Sequence, residues 1–145
     1  MDINSRLCKD PDVAFRFGHT ASAAQQARYV LDQILVGTDA NFAWDVTLVT
    51  SEMVSNVVAH TEDGGVLNAW ATNPFRVEVH DTSHVIPRMR TQADVLGGRG
   101  LGIVNTLATT WGARETSSGK VVWAEFNWPE TMPPAAVVRR GGSAG

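Results

Sequence analysis

Between residues 41 and 60 the apolar side chains Phe42, Val46, Val49, Met53 and Val57 recur at three- and four-residue steps. That spacing lays one face of a helix against a core. An earlier run repeats it through Ala23, Ala27, Val30, Leu31, Ile34 and Leu35; Thr20 or Ser22 can cap this helix, and Gly37 suits its end. Elsewhere the period falls to two. Residues 13–17 alternate enough for a short edge strand, and further strands are expected at 66–71 and 75–80, after turns at Asp63-Gly64-Gly65 and Asn73-Pro74. A third helix is expected over about 101–109. Two closing strands follow near 111–115 and 120–128, joined at Ser117-Ser118-Gly119. This order of elements predicts an α+β, two-layer sandwich, with about three helices on one face of a mixed, mostly antiparallel sheet.

Residues 1–12 read as a polar lead-in, 13–128 as one domain and 129–145, with Pro133-Pro134 and a Gly-rich end, as a flexible tail. At 145 residues and 43% hydrophobic the chain is long enough to bury a core. A net charge of -3 argues against direct nucleic-acid binding, which calls for a basic face. The single cysteine, Cys8, excludes an internal disulfide and a thiolate metal centre. No apolar run is long enough to span a bilayer, so no membrane partner is expected and the cytoplasm is the expected compartment.

Three features carry candidate chemistry. In the second helix Glu52, Asn56 and His60 drift only ~40° per step and share a stripe beside the apolar face. Taken alone, such a stripe is also what a half-exposed helix shows to water. In the strand at 75–80, Phe75, Val77 and Val79 share a face, and Asp81 falls on the same parity. A carboxylate there either meets a donor in an apolar slot or caps the following turn. The glycines Gly98, Gly100 and Gly102, with Arg99 among them, let backbone N–H groups approach a phosphate at the start of a helix. Neither the Rossmann nor the Walker spacing is present. Residues 82–97 lack a sustained period, contain Pro87 and end at a glycine, as a mobile lid would. A zinc site built on His80, Asp81 and His84 is disfavoured, and the Trp residues at 44, 70, 111, 123 and 128 read as core or interface.

These residues together resemble the ATPase fold shared by DNA gyrase, heat-shock chaperones, sensor histidine kinases and mismatch-repair proteins. Within it the chain is most similar to the small bacterial anti-sigma-factor serine kinases. Glu52, Asn56 and His60 match the family's E-x-x-x-N-x-x-x-H motif, and Gly98-Arg99-Gly100-Leu101-Gly102 its glycine motif. The adenine motif D-x-G-x-G reads Asp81-Thr82-Ser83-His84-Val85 here, and a threonine common on the last strand corresponds to Val121 or Val122. The resemblance implies a Bergerat-type fold that binds ATP and Mg²⁺. Glu52 would be the catalytic base and Asn56 the metal ligand. Asn56, His60, Asp81, Gly98, Arg99, Gly100, Leu101 and Gly102 would line the ATP site. It implies a serine/threonine protein kinase that is also an anti-sigma factor, with a sigma factor and an anti-sigma-factor antagonist as partners, acting as a homodimer. The loosened loop after Asp81 favours the alternative of a non-catalytic switch module with weak or lost nucleotide binding. The length also argues against gyrase-like and mismatch-repair roles, since only a short tail is expected after Trp128, and against a sensor kinase, since no phospho-acceptor hairpin is expected before Ala23.

Overall fold

The computed structural model describes residues 9–86 and 100–130. The chain runs β1 (Val13–Phe17), α1 (Ala23–Leu35), α2 (Ala40–His60), β2 (Gly65–Trp70), β3 (Phe75–Asp81), α3 (Gly100–Leu107), β4 (Thr110–Thr116) and β5 (Gly119–Phe126). The five strands form one sheet in the order β1-β2-β3-β5-β4, and every neighbouring pair is antiparallel. The expected α+β sandwich is the architecture observed, with a wholly antiparallel sheet. Among the described residues no helix is long and apolar enough to cross a membrane.

The periodic stripes become the core. Ala23, Ala27, Leu31 and Leu35 of α1 are buried, as are Phe42, Val46, Val49, Met53 and Val57 of α2. They pack with Leu67 and Ala69 of β2, Phe75, Val77 and Val79 of β3, and Val122, Ala124 and Phe126 of β5. Asp39 caps α2: its Oδ1 accepts from the Phe42 N–H at 3.0 Å, satisfying a donor that the first helical turn leaves free. Ser22 stands at the N-cap of α1 without a side-chain capping bond. Gly37 follows α1 at φ 84°, a left-handed conformation that costs glycine little.

Trp128, two residues beyond β5, stacks on Phe42 with ring centroids 4.5 Å apart and meets Phe75 edge-on. Its Nε1 donates to the Thr72 carbonyl at 2.6 Å, tying the end of β5 to the β2–β3 turn. Of the other tryptophans, Trp44 departs from a core assignment, since it is 66% exposed on α2.

Candidate functional site

A slot opens between α2, the end of β3 and α3. It is lined by Glu52, Met53, Asn56 and Val57 from α2, Val79 and Asp81 from β3, Leu101 and Val104 from α3, and Val122 from β5. Its walls are mainly apolar and its polar groups are few, the usual character of a small-molecule site. The space left is about 10 Å³, room for about one water. A larger ligand enters only if the lining side chains or α3 give way.

Each element delivers its residues for a local reason. On α2 the four-residue step keeps Glu52 and Asn56 on one side, both half-buried where the apolar face meets the slot. His60, two further turns along from Glu52, is exposed in the last turn and does not line the slot. On β3 the alternation carries Asp81 inward with Phe75, Val77 and Val79. Asp81 also acts as a turn cap, its Oδ1 accepting from the Ser83 N–H at 2.8 Å. The turn cap is therefore observed, with the strand running through Asp81 rather than ending at His80.

Of the glycine segment, Gly98 and Arg99 lie outside the described residues, as does most of the expected lid. Gly100 opens α3 and Gly102 is its third residue. The helix therefore takes in two glycines expected to belong to a phosphate loop. Leu101 reaches the slot.

The residue that sequence reasoning missed is Lys120. It is the cross-strand partner of Asp81 on β5, and its Nζ donates to Oδ2 at 2.7 Å and Oδ1 at 3.0 Å. Only 6% and 1% of the two side chains are exposed. A signal for this existed, because Lys120 has the strand parity of Val122, Ala124 and Phe126, and a lysine on a core-facing parity needs a counter-charge. Val122, one of the two positions matched to the family's threonine, lines the slot; the residue facing Asp81 is the lysine.

The opposite face of β3 holds a second set of charges. Arg76 Nε donates to Glu78 Oε2 and Nη1 to Glu125 Oε2, both at 2.8 Å. The guanidinium lies over the Trp123 ring, 4.7 Å from its centroid. His80 Nε2 is 3.0 Å from Glu78 Oε1. Burial by itself would push the Glu78 carboxyl up. The hydrogen bonds from His80 and Arg76, with their charges, outweigh it and hold the group below its ordinary value.

A model of the histidine kinase-like ATPase domain matches residues 17–126, more than half of the chain. No curated protein sequence gives a significant match. Among solved structures, the chain is similar in fold to the RsbU and RsbW domains of Rv1364c from Mycobacterium tuberculosis. The identity is 20% and the TM-score 0.60, over 80% of this chain and 32% of that one. This chain thus corresponds to a minor part of that solved chain, and likeness at such identity speaks for the fold alone.

Proposed function

The chain belongs to the histidine kinase-like ATPase family, and from that premise we propose that it is an ATP-binding regulatory protein. In this reading it is an anti-sigma factor with serine/threonine kinase activity toward an anti-sigma-factor antagonist. The observation that carries the proposal is the convergence of Glu52, Asn56, Asp81 and Leu101 on one slot from three separate elements.

The donor set fits a magnesium nucleotide. Asp81 is a buried acceptor beside the Lys120 ammonium, suited to a nucleobase carrying an amino group. Asn56 offers the hard oxygen that Mg²⁺ accepts from protein, and the bound metal would neutralise phosphate charge. Arg99 and the start of α3 would cover the phosphates. Glu52 would take the proton from a serine or threonine hydroxyl as its oxygen bonds to the γ-phosphorus and the bond to the β–γ bridging oxygen of ATP breaks. Phosphoryl transfer is chiefly positioning and charge neutralisation, so one oriented carboxylate suffices as the base. A sigma factor and the antagonist would be the protein partners. The edge position of β1 supports pairing as a homodimer, since an open strand edge invites another chain.

One observation favours a second reading. Asp81, the carboxylate proposed to meet the adenine amino group, is already held by Lys120, as it would be in a switch module that binds partners with little help from nucleotide. The deciding assay is transfer of labelled phosphate from Mg-ATP to candidate antagonist proteins, beside calorimetry of ATP binding. Glu52→Gln should keep nucleotide affinity and lose about 10²- to 10⁴-fold in transfer rate. Binding of a sigma factor by wild type with no phosphate transfer would reject the kinase and leave the switch.

A further inference from the structure

The acceptor at the end of the slot does not stand alone. Lys120 lies beside it because β5 begins hard against the end of β3. A Cβ on Gly119 would collide with the Asp81 carbonyl oxygen, so only glycine lets the strands approach this closely. Across that contact the ammonium holds both oxygens of Asp81, at 2.7 and 3.0 Å.

Counting donors and acceptors shows what the pair has left. An ammonium carries three N–H donors, and a carboxylate about four lone-pair positions. Two of the Lys120 donors go to Asp81, and among the described residues no acceptor takes the third. Oδ1 accepts from Lys120 and from the Ser83 N–H, whereas Oδ2 accepts from Lys120 alone. Among the described residues the pair therefore retains one acceptor position on Oδ2 and one charged donor next to it.

A carboxylate alone offers only acceptors, for amino or ring N–H groups. An acceptor with a donor beside it reads an amidine edge, in which an amino group adjoins a ring nitrogen bearing a lone pair. Adenine presents that edge at its 6-amino group and N1. We propose that Lys120 is a base-contacting specificity residue: its free N–H donates to N1 of adenine while Oδ2 of Asp81 accepts from the 6-amino group. This rests on the nucleotide reading above. The ammonium sits beside the carboxylate rather than on the slot wall, so the contact forms when the base edge reaches Oδ2. A lysine serving only as a counter-ion to a buried aspartate would be indifferent to the atom at position 1 of the base.

Ligand analogues separate the two roles. Binding of ATP and of 1-deaza-ATP, which has C–H in place of N1, is measured by calorimetry on the full chain and on Lys120→Met. Wild type should bind the deaza analogue about tenfold more weakly, the loss expected for one hydrogen bond from a charged donor. Lys120→Met should bind the two alike. If Lys120→Met does not fold, Lys120→Gln, which keeps a neutral N–H donor, takes its place, and the wild-type comparison still tests the N1 contact because there only the ligand changes. Wild-type affinities within about twofold of each other would overturn the base contact while leaving ATP binding intact. No binding of ATP at millimolar concentration would overturn the nucleotide reading and this inference with it.

Discussion

Strand β3 carries charge on both faces, and the two sets are finished differently. On the face opposite the core, Arg76 and Glu78 are each 1% exposed, and Glu125, His80 and the Trp123 ring complete their surroundings. Both oxygens of Glu78 are engaged, and the charges are met within the sheet. On the core-facing side, Asp81 and Lys120 pair at the strand's end, where the slot begins, with a donor and an acceptor position to spare among the described residues. The first set is paired within the sheet, although Arg76 Nη2 stays buried without a hydrogen-bond partner among the described residues; the second borders the slot, where something else can bind. Buried charges are thus poor indicators of function until it is known what they face: Arg76 keeps an unused donor inside the sheet, whereas Asp81 lines a slot.

The largest expected effect falls on the set opposite the core. Arg76→Met strands Glu78 in the sheet without its cation, and should cost about 3–5 kcal/mol in chemical denaturation. Nucleotide affinity of the folded variant should stay as in wild type. If it fell as far as in Asp81→Asn, the two faces would not be independent.

Asp81→Asn is the matching change on the other face. It leaves the Lys120 ammonium with one neutral acceptor, and should cost about 1.5–3 kcal/mol of stability. Unlike Arg76→Met, it should also weaken ATP binding. Unchanged ATP affinity would remove Asp81 from the site and reduce its pair to a second structural bridge.

Acid titration sharpens the contrast further. Glu78 is held below its ordinary value of 4.5 in the fold. Its contribution to stability is therefore complete above that ordinary value, and drains as pH falls through the lower folded value. Glu78→Gln should flatten this acid limb of the stability curve. A limb as steep as in wild type would place the acid sensitivity elsewhere.

The smallest effect belongs to His80. Its side chain is 37% exposed, so His80→Ala should cost less than about 1 kcal/mol. A larger loss in thermal melts would mean that the imidazole, rather than Arg76, holds Glu78 in place.

The sequence by itself determined the elements and the faces they bury. Helical and strand periodicities are local, so the stripe Phe42, Val46, Val49, Met53 and Val57 and the parity of Phe75, Val77, Val79 and Asp81 could be read directly. Glu52 and Asn56 came to the slot for the same reason, being one turn apart. His60 did not, because two steps of drift rotate it by ~80° from Glu52 and carry it to the exposed end of α2. Only the tertiary structure decided the partners. Asp81 meets Lys120 across 39 residues of chain, and Arg76 meets Glu125 across 49. Both contacts exist because β5, rather than β4, lies beside β3, and because Gly119 sets the register of that pairing. Parity tells which face a side chain occupies; the charge waiting there is chosen by strand order, which no local pattern encodes.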